Sequence, residues 1–172
     1  MESILNMKKA ILLTAGALAL VVAAGAAWWS AKPVPAPEST FVLLDGSSKS
    51  SASLKGQVTL VNFWATSCTT CVAEMPKVIA TYQKYHAKGF NTMAVAMSYD
   101  PPAYVVNFAQ TRQLPFQVAI DNTGSVAKAW GDVQLTPTTY LVNKQGQIVK
   151  RYIGEPDFNE LQQLIEKLLI ET

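Results

Sequence analysis

The chain predicts an α/β fold: a mixed central sheet with helices on both faces. Three observations carry this. Apolar runs of strand length alternate with stretches of helical period along most of the 172 residues. The run 58–64 is apolar except at Thr59 and Asn62 and lacks the polar alternation of a half-exposed strand, as a central strand covered on both faces should. The runs 139–143 and 147–153 are separated only by Lys144-Gln145-Gly146, which makes them an antiparallel hairpin.

The elements follow in order. Phe41, Val42, Leu43 and Leu44, then Asp45-Gly46, read as the first arm of an N-terminal hairpin. After the strand 58–64, a helix starts near Cys68 and places Val72, Met75, Ile79 and Tyr82 on one face. Pro76 lies inside that helix and is expected to kink it; Gly89 ends it. Residues 90–97 form the second strand. Asp100 is expected to cap a helix opened by Pro101-Pro102 and carrying Tyr104, Val105, Phe108 and Ala109. A short strand over 116–120 and a short helix over 124–130 precede the final hairpin. Asp157 and Glu160 make a capping-box-like start to the last helix, with Phe158, Leu161, Leu164, Ile165 and Leu168 at core spacing.

Residues 1–40 divide into three segments. Lys8 and Lys9 precede an uncharged apolar stretch over residues 10–29, long enough to span a bilayer as a helix. The lysines predict that residues 1–9 stay cytoplasmic. The competing reading is a cleavable secretory signal, for which Ala24-Gly25-Ala26 is a small-x-small site. Either way the remainder is exported: a domain held at the membrane by residues 10–29, or a soluble one after cleavage. Residues 30–40, with Pro33, Pro35 and Pro37, read as an extended linker. Residues 41–172 suffice for one compact domain. Beyond residue 30 there are 12 Lys and Arg against 11 Asp and Glu, a balance of +1 that makes no electrostatic case for nucleic acid.

The chemistry is concentrated in Cys68-Thr69-Thr70-Cys71, the two cysteines of the chain. They sit where the strand 58–64 turns into a helix. Thiols three residues apart on the first helical turn can reach each other, and the unpaired N–H groups there favour a thiolate, the species that attacks disulfides. A structural zinc site would need about four ligands, and the chain offers no third cysteine and a single histidine, His86. A purely structural bridge over so short a loop would constrain little of the unfolded chain. No cofactor or metal is expected, and Trp64, Trp130, Met93 and Met97 fit core positions.

Val61-Asn62-Phe63-Trp64-Ala65-Thr66, the cysteine pair, and Glu74-Met75-Pro76 together resemble the active-site segment of the thioredoxin superfamily. Within it they are most similar to the TlpA/ResA-like group of membrane-anchored, extracytoplasmic thiol–disulfide oxidoreductases. Leu135-Thr136-Pro137-Thr138-Thr139-Tyr140-Leu141 resembles that family's cis-proline loop, and residues 98–121 its inserted helix and strand. The resemblance implies a thioredoxin-like fold and a disulfide reductase. Cys68 would be the nucleophile and Cys71 the resolving thiol. Trp64, Ser67, Thr136 and Pro137 would form the substrate surface. The implied partners are exported disulfide-containing proteins, a membrane thiol electron donor and, through residues 10–29, the bacterial inner membrane, with the domain in the periplasm, or soluble there after signal cleavage; cytochrome c maturation and respiratory copper-site assembly are the candidate pathways. Glu74 matches a glutamate of ResA-like proteins: it is either a partly buried proton acceptor for Cys71 or an exposed first-turn glutamate favoured by the helix dipole.

Three departures stand out. Ser67 replaces the usual Trp before the first cysteine and removes a flat apolar surface. Thr70 replaces the usual Pro before the second. Asn62 stands where cytosolic thioredoxins keep a buried acid. Two other function classes stay open. A redoxin-type thiol peroxidase would need an Arg beside Cys68, and the chain offers Arg112 and Arg151, both remote in sequence. A non-catalytic thioredoxin-fold module binding metal or protein would need further ligands that the sequence does not display.

Overall fold

The computed structural model describes residues 34–171. The anchor or signal segment expected over residues 10–29, and the cytoplasmic segment 1–9, lie outside the described residues. Among the described residues there are eight strands: β1 (Val34–Pro35), β2 (Thr40–Val42), β3 (Ser48–Ser50), β4 (Val58–Trp64), β5 (Phe90–Ala96), β6 (Gln117–Ile120), β7 (Thr138–Val142) and β8 (Gln147–Ile153). The helices are α1 (Thr69–Tyr85), α2 (Pro102–Thr111), α3 (Ser125–Ala129) and α4 (Phe158–Ile170).

Six strands form one sheet in the order β1-β8-β7-β4-β5-β6, and β2 with β3 forms a separate hairpin. The β4–β5 and β5–β6 pairs are parallel, connected by α1 and α2; β7 and β8 are antiparallel. This is the expected mixed sheet with a terminal hairpin. β4 sits between β5 and β7 and is buried at all seven positions, which is why its sequence shows no alternation.

Alternation in β4 survives as a division between two cores. Val58, Leu60 and Trp64 join α1, α2 and α4 in one cluster, with Met75, Val78, Tyr85, Leu161 and Ile165. Val61 and Phe63 face the opposite way, toward Phe41, Val126, Trp130 and Tyr140. Three helices therefore cover one face, and α3 with the N-terminal hairpin covers the other. The parity of β4 also puts Asn62 on the α1 side, a polar residue inside an apolar face.

Three local expectations are corrected. The sheet begins before residue 41: Val34 and Pro35 pair antiparallel with Ile148 and Gln147, and the Ala36 amide donates to the Gly146 carbonyl at 2.9 Å. Residues 34–40 thus lie on the domain rather than in a free spacer. Pro35 is tolerated because β1 is an edge strand, where a missing N–H costs no ladder bond. Asp100 does not cap α2; Pro101 occupies that position without a side-chain bond, and Asp100 is turned inward to the loop after β4. The last helix has half of a capping box: Asp157 accepts from the Asn159 and Glu160 amides, while the Glu160 carboxylate pairs with Lys150 at 3.3 Å.

Candidate active site

The cysteine pair lies at the carboxyl end of β4, where the chain leaves the sheet and enters α1. Cys68 is the N-cap of α1, with extended backbone (φ −86°, ψ 103°), and its Sγ accepts a bond from the Cys71 amide at 3.1 Å. No acidic residue stands in the first turn of α1, so the positive end of the helix dipole meets Cys68 unopposed. The two sulfurs are joined as a disulfide, with Cα atoms 5.2 Å apart. Cys68 is half-buried among exposed Ser67, Thr69 and Thr70, whereas Cys71 is fully buried. Amide support at Sγ and unequal access are what an attacking thiol and a protected second thiol require.

The loop before β7 stands beside this turn, because Thr138 is paired with Phe63 of β4. Its Thr136–Pro137 bond is cis, as the resemblance implied. Pro137 is buried and its carbonyl accepts from the Gly154 amide at 2.8 Å; Thr138 Oγ1 donates to the Leu135 carbonyl at 2.7 Å. The loop is therefore held from both sides, with Thr136 half-buried and Leu135 exposed at its tip.

Glu74 is one turn beyond Cys71 and is 1% exposed, which removes the reading of it as a surface glutamate. Its Oε1 accepts from Asn62 Nδ2 at 3.1 Å, and the same amide group donates to Thr139 Oγ1 at 2.9 Å. Glu74 Oε2 and Asn62 Oδ1 have no partner among the described residues. Burial pushes the Glu74 carboxyl up to about 7; the Asn62 hydrogen bond opposes this, the Glu155 charge adds to it and the Lys77 charge opposes it. A carboxyl that titrates near neutrality one turn from a buried sulfur is suited to proton transfer.

Trp64 departs from the expected substrate surface. It is fully buried, with its ring 5.0 Å from that of Phe108, because its position in β4 points it beneath α1 and α2. Ser67 is exposed beside Cys68 and stays at the surface as expected. Arg112 lies over the Phe108 ring and Arg151 over the Tyr140 ring. His86 is exposed and stacks on Tyr82.

Two residues of the site were not assigned to it by sequence reasoning. Asp100 is buried, and its Oδ2 accepts from the Thr66 amide at 2.6 Å while its Oδ1 accepts from the Thr66 hydroxyl. Tyr99, by contrast, is exposed, with its hydroxyl 3.1 Å from Thr136 Oγ1. The only sequence signal for either was the Tyr99-Asp100-Pro101 turn, whose acid has the look of a helix cap.

Comparison with known proteins agrees with this geometry. The Redoxin family model matches residues 31–165. Thiol-disulfide oxidoreductase ResA of Bacillus thuringiensis subsp. konkukian is 33% identical over 133 residues, covering 77% of this chain and 76% of its own length. A Neisseria meningitidis protein provisionally described as a thioredoxin superposes with a TM-score of 0.73 at 42% identity, covering 80% of this chain and 91% of its own. A thiol:disulfide interchange protein of the thioredoxin family from Chlorobium tepidum superposes with a TM-score of 0.72 at 27% identity, covering 81% and 98%.

Proposed function

The chain belongs to the redoxin family, among the ResA-like thiol–disulfide oxidoreductases of thioredoxin fold, and we propose on that premise that Cys68 and Cys71 reduce disulfides in exported proteins. The observation that carries the reading is the asymmetry of the pair: Cys68 is accessible at the start of α1 with an amide on its sulfur, and Cys71 is buried behind it.

In the reduced protein the Cys68 thiolate attacks one sulfur of the target disulfide. A mixed disulfide forms and the target's other sulfur leaves as a thiolate. Cys71 then gives its proton to the ionised Glu74 carboxylate and attacks Cys68 Sγ. The Cys68–Cys71 bond closes and the second target sulfur is released. The target gains two electrons, and its two thiolates take up protons, one of them supplied through Glu74. The backbone beside cis-Pro137, with Thr136 and Ser67, lines the path of the target chain. A membrane dithiol donor then reopens the disulfide.

We place the domain outside the cytoplasm, anchored or released at residues 10–29. A disulfide reductase there needs such a donor, since the compartment is oxidising. The ResA relatives, named as thiol–disulfide oxidoreductases, support this reading over a thiol peroxidase.

Trapping tests it. Cys71→Ser leaves Cys68 able to attack and removes the thiol that would release the target. The expected product is a stalled mixed disulfide on Cys68, with the partner identified by mass spectrometry. A partner in cytochrome c maturation or in respiratory copper-site assembly selects between those pathways. Absence of any Cys68 adduct, with Cys68→Ser trapping one on Cys71 instead, would reverse the roles.

A further inference from the structure

We propose that Tyr99 is the specificity-determining aromatic of this site, selecting target disulfides whose cysteine is flanked by aliphatic or aromatic side chains; this rests on the reductase reading above.

The surface immediately around the pair is poor in apolar area. Ser67, Thr69 and Thr70 are exposed, small and polar, and Trp64 is withdrawn into the core. Apolar contact with a target chain must come from elsewhere. Among the described residues, the exposed large apolar side chains at this end of the sheet are Tyr99 at 57%, Tyr104 at 65%, Leu135 at 64% and Ile153 at 60% exposure.

Tyr99 differs from an ordinary surface tyrosine in being held at both ends. Its backbone belongs to the turn that follows β5, and that turn is built onto β4. The Met97 amide donates to the Trp64 carbonyl at 3.0 Å, and the Asp100 amide donates to the Met97 carbonyl at 3.0 Å. The neighbouring Asp100 carboxylate holds Thr66, two residues before Cys68, through its amide and its hydroxyl. Its side chain ends on Thr136, in the loop before β7.

Topology makes that last contact informative. β5 and β7 flank β4 on opposite sides. A side chain that starts after β5 and ends before β7 crosses the end of β4, where the chain turns toward Cys68. The phenol ring therefore lies across the end of β4, between the turn after β5 and the cis-proline loop, and is largely exposed. A rigid aromatic with its hydroxyl anchored offers contact area without the entropy cost of ordering it.

The test uses the full chain, solubilised and reduced, with three disulfides: a bridged peptide with Leu on either side of its cysteine, the same peptide with Ser there, and hydroxyethyl disulfide. Wild type should favour the Leu peptide over the Ser peptide by about tenfold in kcat/KM, expressed in KM, as a buried aromatic contact provides. Tyr99→Ala should abolish that preference and affect hydroxyethyl disulfide, which has no flanking side chain, far less; Tyr99→Phe, which keeps the ring and loses its anchor on Thr136, should weaken the preference without abolishing it. A preference that persists in Tyr99→Ala overturns the proposal. So does an equal loss on hydroxyethyl disulfide, which would make Tyr99 a brace for the loops. Wild type reducing both peptides equally refutes the Tyr99 proposal and leaves the reductase reading standing; wild type reducing none of the three refutes the reductase reading itself.

Discussion

Replacing Glu74 by Gln should make the oxidised protein more stable in alkaline solution and leave it nearly unchanged in acid. Glu74 is 1% exposed, with one hydrogen bond from Asn62 and an unpartnered Oε2. Its carboxyl ordinarily titrates at 4.5 and is raised to about 7 in the folded chain, chiefly by burial. Between those values the folded state binds more protons than the unfolded state, so stability falls as pH rises. The contribution is fully present below 4.5 and is lost by the time pH has risen through about 7. Each pH unit in that window is worth about 1.4 kcal/mol, which sets a ceiling of about 3 kcal/mol, or about 2 kcal/mol once the surrounding dipoles relax around the charge.

Gln has nearly the same shape and never ionises, so the variant escapes this loss. Urea unfolding at pH 4 and pH 8.5 measures it. The wild type and Glu74→Gln should unfold at similar urea concentrations in acid. At pH 8.5 the variant's midpoint should lie higher by about 1–2 M, for a slope of about 1.5 kcal/mol per molar. All other titrating groups are common to both proteins and cancel in the difference. An offset independent of pH, or a variant less stable at pH 8.5, would refute the neutral, buried Glu74. Exchange should move oppositely: above pH 7 the variant should resolve the mixed disulfide about 10²–10⁴-fold more slowly, the usual worth of a positioned base.

Asn62→Ala should raise the Glu74 carboxyl further, since the bond from Asn62 is the larger of the two influences that lower it; the stability difference between the Glu74 and Glu74→Gln proteins, which starts near 4.5 in either background, should level off at a higher pH and reach a larger value in the Ala background. In the reduced protein, iodoacetamide should label Cys68 at least about tenfold faster than Cys71, because access and thiolate character both favour it; mass-resolved peptide kinetics measure the ratio. Asp100→Ala should leave the Thr66 amide and hydroxyl without their acceptor, at a cost of about 2–4 kcal/mol, seen as a fall of roughly 10 °C in thermal midpoint.

The elements of this chain were legible because their signals are local. The unbroken run of β4, the helical spacing of Val72, Met75 and Ile79, and the Asp157 cap each depend on residues a few positions apart. The structure returns β4 and β8 with the expected bounds and β5, β6 and β7 to within one residue at each end; β2 ends two residues earlier than expected, and neither β1 nor the range of β3 was predicted. The site was legible as far as its motifs reach: the cysteine pair at a strand-to-helix turn, and a proline loop that is cis. The sequence by itself thus determined the fold class and the two thiols. What tertiary structure alone decided are the partners of polar groups. Glu74 and Asn62 meet across 12 residues because the parity of β4 turns Asn62 toward α1. Asp100 reaches Thr66 across 34 residues, and Tyr99 reaches Thr136 across 37, because β5 and β7 both lie against β4. Val34 and Pro35 become a strand because β8 presents them with a free edge. A carboxylate's burial and a phenol's anchor depend on which strands become neighbours. Strand order comes from packing the whole chain, so no local pattern around Glu74, Tyr99 or Asp100 could carry it.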